Sequence, residues 1–262
     1  MHEFQAIRYE ASDGLGRITM ARPDKRNAMN PQMFEELGDA AELARDDAAV
    51  AAVIVAGEGP TFSAGLDLNA VGELSSLRGP KFRRFVRMAQ RPYLALARME
   101  KPVIAAVQGH AVGAGFQLAL ACDLRIVAED AKLGILEARY GLIPDLGGLH
   151  HLARLIGTGR TKELLWSTRL VDADEAQRNG LANRVVPADQ LPKSAEDLAR
   201  EVTTYSPTAV GLIKTLVSRA TETDLEQELE READAQSVCL DSDDHRESVA
   251  AFLEGRPPKF RP

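Results

Sequence analysis

The pattern of hydrophobic and polar positions divides the chain into an alternating part and a helical part. Residues 4–22 contain two short alternating runs, FQAIRYE and GRITMAR, joined by ASDGLG. An Asp-Gly pair between such runs is typical of a tight turn, so these residues are predicted to form an antiparallel hairpin. Residues 48–57 and 101–109 are continuous apolar runs that end in glycine, which predicts two strands buried on both faces.

Helical spacing appears between and after these strands. The apolar residues between 81 and 99 recur at helical intervals: Phe82, Phe85, Val86, Ala89 and Tyr93. Pro92 is expected to kink or divide this helix. A helix near 113–121, a strand over 123–130 and a helix from about 148 continue the alternation. Strands and helices in this order predict an α/β domain with crossover connections.

The C-terminal part of the chain changes character. From residue 192 onward the pattern is almost wholly helical, with amphipathic segments over 210–220 and 225–240. A length of 262 residues is close to the upper limit of one domain. The sequence therefore predicts a core over residues 1–195 and a helical region over 196–262, with the transition between 190 and 205.

Composition and charge disfavour several classes of protein. With 45% hydrophobic and 27% charged residues the chain is typical of globular proteins. A net charge of -7 disfavours a nucleic-acid partner, because phosphate binding needs clustered Lys and Arg. Cys122 and Cys239 lie far apart without metal-ligand spacing, which predicts neither a disulfide framework nor a zinc site. We expect a cytoplasmic protein without a membrane-spanning or targeting segment.

Several cofactor and metal motifs are missing. After Gly113 and Gly115 the third position of a dinucleotide fingerprint is Leu118, and neither a phosphate loop nor a serine-hydrolase elbow is present. The acidic run DSDDH precedes a helical pattern, where such residues normally cap the helix. The histidines His150 and His151 have no ligand partner at diagnostic spacing. We therefore predict no metal site.

Two glycine-rich segments follow the buried strands. They are TFSAGLDL at 61–68 and GHAVGAGFQL at 109–118. If the two strands are parallel neighbours, their carboxyl ends meet at one edge, where open α/β sheets bind ligands. Two convergent backbone N–H groups there, one at a helix N-terminus, would form an oxyanion hole. Two ordinary tight turns would have the same sequence pattern, so the residues alone leave both interpretations open.

A resemblance adds to this pattern. The segments RPDKRNAMN, FSAGLDL and GHAVGAGFQLALACDLRIVAEDAKLGILEARYGLIPDLGG, in this order and spacing, are similar to the crotonase superfamily, the enoyl-CoA hydratase and isomerase family. The match runs from about residue 5 to AFLEGRPPKF near the C-terminus. It implies an α/β crotonase (ClpP-like) fold, a spiral of repeated β-β-α units with a C-terminal helical trimerisation region. A homotrimer, or a hexamer made of two trimers, is the expected assembly.

The resemblance also implies a site for an acyl-CoA thioester. The two oxyanion donors fall on the backbone N–H groups of Leu66 and Ala114, which would hold the thioester oxygen and stabilise an enolate. The implied CoA-binding positions are Lys25, Arg26, Ala28, Ala64, Asp67 and Leu68. Lys25, Arg26 and Lys259 would supply positive charge to the CoA phosphates. Tyr140, Leu142 and residues 70–95 are expected near the acyl group, and no cofactor beyond the CoA moiety is implied.

The catalytic positions depart from those of a hydratase. Family hydratases use two glutamates, of which the second corresponds to Glu137 and the first to Gln117, an amide that cannot exchange a proton. Addition of water requires both activation of the water and protonation of the α-carbon, whereas one carboxylate can move a double bond. Asp145 occupies a position where family dienoyl-CoA isomerases carry an aspartate. Its Pro-Asp-Leu-Gly-Gly context is also ordinary turn and cap chemistry.

These departures favour a double-bond isomerase acting on an enoyl-CoA or dienoyl-CoA, with Glu137 as the main acid and base and Asp145 as a candidate second group. One alternative is an enoyl-CoA hydratase in which Gln117 orients the water for Glu137. Another enolate reaction remains open, because a fold and an oxyanion hole do not determine the reaction. A non-catalytic acyl-CoA binding protein is the alternative from a different class.

Overall fold

Nine strands form two sheets in the part of the chain that the computed structural model describes, which is residues 4–67, 69, 70, 72, 76–220 and 224–260. The larger sheet has the strand order β1-β2-β3-β4-β6-β9 and the smaller one β5-β7-β8. Their bounds are β1 Ile7–Ser12, β2 Leu15–Met20, β3 Ala52–Gly57, β4 Val103–Val107, β5 His110–Val112, β6 Leu124–Ala128, β7 Lys132–Gly134, β8 Val171–Asp172 and β9 Arg184–Val186.

Helices connect and cover these strands. They are α1 Pro31–Asp46, α2 Gly79–Arg98, α3 Ala114–Ala121, α4 Gly148–Ser167, α5 Ala173–Arg178, α6 Leu191–Val202, α7 Pro207–Arg219, α8 Leu225–Asp241 and α9 Asp243–Glu254. Short 3-10 helices occupy Pro23–Lys25, Glu137–Tyr140 and Ala188–Gln190. The alternation of strands and helices up to β9, followed by helices alone, confirms the predicted α/β class and helical C-terminal part.

The N-terminal hairpin and the two buried strands confirm the patterns that predicted them. Strands β1 and β2 pair antiparallel around Asp13 and Gly14, whose φ angles of 51° and 80° are those that a two-residue turn requires. Strands β3 and β4 pair parallel, with Val53 opposite Val103, and all five residues of β4 are buried. Their carboxyl ends therefore lie side by side at one edge of the sheet.

Helix α2 continues through Pro92 as one helix of 20 residues. Of the two expected effects of the proline, division of the helix was wrong, and a kink stays a prediction. A proline inside a helix costs ~3 kcal/mol. Burial of Tyr93 and Leu96 in the core offsets this, since each large side chain contributes ~1.5–3 kcal/mol. An ion pair 2.6 Å long between Arg91 and Glu42 also fastens α2 to α1.

Helix α6 spans the predicted boundary between residues 195 and 196. Its buried residues Leu191, Ala195 and Leu198 pack in one cluster with Ile104 of β4 and Ile126 of β6. The packing therefore joins the whole of α6 to the sheet, because a helix cannot be divided between two cores in the middle of its buried face. Helices α7, α8 and α9 follow, and their division into a separate region stays a prediction.

Candidate active site

The two glycine-rich segments lie in contact at the carboxyl ends of β3 and β4. Ser63 N–H donates to His110 O at 2.9 Å, and Val112 N–H donates to Ser63 O at 3.0 Å. Gly115 packs directly on Ser63, since a methyl group at Gly115 would lie 2.5 Å from the Ser63 Cβ. A larger residue at position 115 would force the segments apart, which explains the glycine.

The backbone around Leu66 lies close to the backbone N–H group of Ala114. Gly65 O accepts a hydrogen bond of 2.7 Å from Met29 N–H, and in a trans peptide the following N–H of Leu66 points the opposite way. A side chain added at Gly65, which has a φ of 89°, would contact Ala114 N at 3.6 Å. Among the described residues neither Leu66 N–H nor Ala114 N–H has a hydrogen-bond acceptor.

Ala114 is the first residue of α3, a helix whose eight residues are all buried. The first N–H groups of a helix have no partner inside it, and the helix dipole makes that end partly positive. Together with Leu66 N–H, this end can stabilise a negative oxygen away from bulk water. These are the donors that an oxyanion hole requires, and their use as one stays a prediction.

Glu137 lies beside this hole. It begins the 3-10 helix after β7, and its Oε1 would lie 3.4 Å from a methyl group on Gly113. Its other oxygen, Oε2, is buried and has no hydrogen-bond partner in the described part of the chain. Burial raises the pKa of Glu137, and the charge of Asp145 adds to this, although hydrogen bonds act against it. A carboxylate with a raised pKa and a free oxygen is suited to accept and return a proton.

Gln117 holds Glu137 in place. The Gln117 side chain is buried, and its Nε2 donates to Glu137 Oε1 at 2.8 Å. Its Oε1 accepts the N–H groups of Leu146 and Gly148 at 3.0 and 3.1 Å. The amide oxygen is therefore fully engaged, while the NH₂ group faces Glu137 with one further N–H to donate. Gly148 leaves room for it, because a methyl group there would lie 2.7 Å from Gln117 Cγ.

Asp145 stands at the rim of the site. It is exposed, and its backbone O accepts a hydrogen bond of 2.6 Å from Gln90 on α2. Partial desolvation raises the pKa of its carboxyl group. The Asp145 carboxylate makes no hydrogen bond to Glu137 in the described structure, but its negative charge helps to raise the pKa of Glu137. The site therefore has two carboxyl groups with raised pKa values, Glu137 beside the Leu66 and Ala114 N–H groups and Asp145 at the rim.

Comparison with known proteins identifies the family. The family model for enoyl-CoA hydratase/isomerase matches residues 10–262. A crotonyl-CoA hydratase of Syntrophomonas wolfei is 36% identical over 98% of both chains. The crystal structure of an enoyl-CoA hydratase from Bacillus anthracis, 34% identical, superposes with a TM-score of 0.91 over 98% of this chain and 99% of the other. The chain belongs to the enoyl-CoA hydratase/isomerase family.

The family assignment confirms the crotonase fold expected from the resemblance. A further relative, a putative enoyl-CoA hydratase from Thermobifida fusca in complex with acetoacetyl-CoA, is 35% identical, with a TM-score of 0.84 over 90% of this chain and 94% of that one. The names of these relatives agree with the hydratase alternative better than with the isomerase that the sequence favoured.

The residues predicted to bind CoA are largely brought together in this family member. Ala64 N–H donates to Arg26 O at 2.9 Å, so the loop of residues 25–28 lies against residues 64–67, next to Leu66. Lys25, Arg26 and Ala64 are exposed there. Leu68, which the sequence also assigned to CoA binding, lies outside the described residues, as do 71 and 73–75 of the segment expected near the acyl group.

Asp67 is engaged within the protein. Its carboxylate forms an ion pair of 3.0 Å with Arg22 and accepts the N–H of Asn69 at 3.0 Å. Burial acts to raise the pKa of Asp67, but these hydrogen bonds outweigh it and the pKa is lowered. The charged Asp67 side chain therefore braces the turn after Leu66, and its predicted role in CoA binding stays a prediction.

Arg22 and Asn27 are structural residues of the site that sequence reasoning did not select. Asn27 is fully buried at a φ of 53°, accepts Arg22 N–H at 2.9 Å, and donates to Glu58 O and Thr61 O at 2.9 and 2.7 Å. It thereby ties the Lys25 loop to the segment that ends β3. An asparagine inside a charged loop is the signal for this role, since Asn adopts positive φ more readily than most residues.

Tyr140 and Lys259 occupy different places. Tyr140 ends the 3-10 helix that begins at Glu137 and is exposed, as are Leu142 and Ile143, and its place near the acyl group stays a prediction. Lys259 follows α9, where its backbone N–H donates to Glu247 at 2.7 Å. No hydrogen bond or ion pair of the described residues connects Lys259 with the loop of Lys25, so a role toward CoA in the same chain stays a prediction.

Within the residues that the structure covers, no three His, Cys, Asp or Glu side chains come together as metal ligands. Among the described helices, none is both long enough and apolar enough to cross a membrane.

Proposed function

We propose that this chain is an enoyl-CoA hydratase that uses Glu137 as its single proton-transfer group and Gln117 to orient the water. The observation that carries the proposal is the free, buried Oε2 of Glu137 next to the Gln117 NH₂ group. Such a pair has the groups to bind a water molecule, because Gln117 N–H can donate to its oxygen while Glu137 accepts its proton. The names of the relatives support this preference over the isomerase that the sequence favoured.

In this mechanism the thioester oxygen accepts hydrogen bonds from Leu66 N–H and Ala114 N–H. As the water oxygen bonds to the β-carbon, Glu137 takes one of its protons and the double-bond electrons move to the thioester oxygen as an enolate. The two N–H groups and the α3 dipole stabilise that negative charge. Glu137 then returns the proton to the α-carbon, which restores the carbonyl and the carboxylate.

Double-bond isomerisation is the second candidate, since Gln117 cannot exchange a proton and Asp145 supplies a second carboxyl group at the rim. Glu137 would take a proton from the α-carbon of a 3-enoyl thioester and return it to the γ-carbon. The same oxyanion hole would stabilise the intermediate enolate. This reaction needs no water beside Gln117, which is the difference that an experiment can use.

Short 2-enoyl and 3-enoyl CoA thioesters distinguish these reactions through the absorbance of the conjugated enoyl thioester. Hydration is expected to remove this absorbance from the 2-enoyl substrate. Its appearance from the 3-enoyl substrate, with no loss from the 2-enoyl one, would establish the isomerase and reject the hydratase. Tight CoA-ester binding without turnover of either, unchanged in Glu137→Gln, would instead support the binding-protein alternative.

A substitution at position 117 tests the role of the amide. Gln117→Glu introduces a carboxylate where the N–H groups of Leu146 and Gly148 can stabilise it. We expect faster hydration, by about tenfold or more, because a second group can then share proton transfer. Gln117→Leu is the control, since it loses the contact with Glu137 and should slow hydration. A Gln117→Glu variant that hydrates the substrate more slowly than the wild type would contradict the placement of position 117 beside the reacting water.

We also propose that the chain forms a homotrimer, or a hexamer of two trimers, through its C-terminal helices. Large apolar side chains of α8 and α9, including Leu225 and Phe252, lie exposed on a single chain. Large exposed apolar side chains concentrated on two helices favour an interface with another protein. The ligand of the assembly is proposed to be a CoA thioester, as in the Thermobifida fusca relative, without a further cofactor.

A further inference from the structure

The phenol of Tyr93 is buried directly behind the oxyanion hole. Tyr93 lies in the second half of α2 and is 3% exposed. Its hydroxyl donates to Ala114 O at 2.9 Å and lies 3.5 Å from Met29 Sδ. A buried hydroxyl normally finds a hydrogen-bond partner, and the partner here is the first residue of α3.

The two residues that contact this hydroxyl, Ala114 and Met29, each position one of the two proposed oxyanion donors. Ala114 supplies one N–H itself. Met29 fixes the other, because its N–H binds Gly65 O at 2.7 Å and its O accepts Asp67 N–H at 2.9 Å, on either side of Leu66. Tyr93 thus contacts two segments that are distant in the chain, those of Met29 and Ala114.

From this geometry we infer that Tyr93 is a positioning residue that sets the spacing of the Leu66 and Ala114 N–H groups. The inference rests on the proposed use of these groups as an oxyanion hole. Donors act on an oxyanion only when both lie about 2.7–3.1 Å from it, so a small movement of one segment weakens the stabilisation of the enolate. The ground-state carbonyl carries less charge and depends less on this spacing.

The surroundings keep Tyr93 in the donating form. Burial raises its pKa well above the ordinary value, and the charges of Asp145 and Glu137 act in the same direction. The groups that face the phenol from neighbouring elements are therefore two carboxyl groups, which disfavour a phenolate. Its hydroxyl donates throughout the pH range in which Glu137 titrates.

Tyr93→Phe tests the inference, with Tyr9→Phe as the matched control. Both changes delete a phenol oxygen, but Tyr9 lies on β1, and its buried hydroxyl has no acceptor in the described structure. In Tyr93→Phe we expect kcat to fall about tenfold, less than the ~100–1000-fold for a whole lost donor, with KM changed less than about twofold. Tyr9→Phe is expected to keep both values.

A spectroscopic measurement makes the test independent of turnover. A CoA thioester with an aromatic conjugated acyl group absorbs at longer wavelength when hydrogen bonds polarise its carbonyl. We expect wild type and Tyr9→Phe to produce this shift on binding and Tyr93→Phe to produce a smaller one. Met29→Leu, which preserves volume and removes only the sulfur contact, is expected to reduce it slightly and serves as a second variant.

The outcomes separate this inference from the proposed reaction. If wild type polarises the bound thioester but neither hydrates nor isomerises any substrate, the proposed function fails and the Tyr93 shift still decides the inference. If Tyr93→Phe has a lower melting temperature but the same kcat and spectral shift as wild type, the hydroxyl contributes only to folding and the inference is overturned. Absence of polarisation in wild type would overturn both.

Discussion

The loops of the site and the C-terminal helices differ in how well a single chain accommodates their side chains. Around the oxyanion hole the buried polar groups of Gln117 and Asn27 are hydrogen-bonded within the chain. On α8 and α9, by contrast, Leu225, Phe252 and Leu253 are 71%, 84% and 79% exposed. These two polar side chains are therefore hydrogen-bonded without a partner chain, whereas the C-terminal helices retain apolar surface that a partner would cover.

Glu137 is the exception within the site, since its Oε2 is buried without a hydrogen bond in the described structure. An unsatisfied buried oxygen costs free energy unless a ligand or water completes it. The exposed apolar surface of the C-terminal helices also costs free energy until another protein covers it. Both regions thus show where the single chain is incomplete, and each can be altered without altering the other.

Loss of the carboxylate should have the largest effect. In Glu137→Gln the amide can still accept the Gln117 N–H, but it cannot take a proton. We expect kcat to fall by about 1000-fold or more, within the range for a general acid and base. Steady-state kinetics on the preferred thioester measures the loss, and Asp145→Asn, at the rim, is the comparison with a smaller expected effect. A Glu137→Gln variant that keeps a tenth of the activity would contradict the assignment.

Removal of one oxyanion donor should have the next largest effect. Ala114 is the first residue of α3, a position that tolerates proline, so Ala114→Pro deletes the N–H without breaking the helix. A loss of ~100–1000-fold in kcat is expected. Circular dichroism shows whether the helix content is kept, and Ala114→Gly, which keeps the N–H, is the control. A folded proline variant with wild-type kcat would exclude Ala114 as a donor.

Alteration of the C-terminal helices should change assembly more than chemistry. Phe252→Asp with Leu253→Asp places two charges on the exposed face of α9, which is expected to dissociate the oligomer. Sedimentation measures the mass, and Glu10→Ala on the exposed side of β1 is the control that should keep it. An unchanged mass in the double variant would show that this face is not an interface.

The smallest expected effect concerns stability and pH. The pKa of Glu137 is raised in the folded protein, so its contribution to stability is present below the unfolded pKa and is lost as pH rises through the folded one. Glu137→Gln should therefore melt slightly above wild type at pH 7 and close to it at pH 4. Melting curves at both values test this, with Glu10→Gln at an exposed site as control. A variant that is less stable at pH 7 would contradict the burial cost assigned to Glu137.

The residue pattern predicted the hairpin, the two buried strands and the glycine segments because these depend on local spacing and turn chemistry. It was wrong about the division of α2 at Pro92, where burial of Tyr93 and Leu96 outweighs the local preference. The boundary that it assigned falls inside α6 and stays a prediction, since an amphipathic pattern does not reveal which core a helix packs against. The preference for an isomerase rested on the amide at position 117, the single glutamate at 137 and the aspartate at 145, and the names of the relatives agree better with the hydratase alternative.

The sequence by itself determined which residues are able to do chemistry here: small residues at two strand ends, one glutamate at position 137 and an amide at position 117. Only the tertiary structure decided their relations. It oriented the Gln117 amide toward Glu137, paired Asp67 with Arg22 and set Tyr93 behind the oxyanion hole. These contacts join residues that are 20 to 45 positions apart, and hydrogen bonds over such separations depend on packing that no local pattern contains.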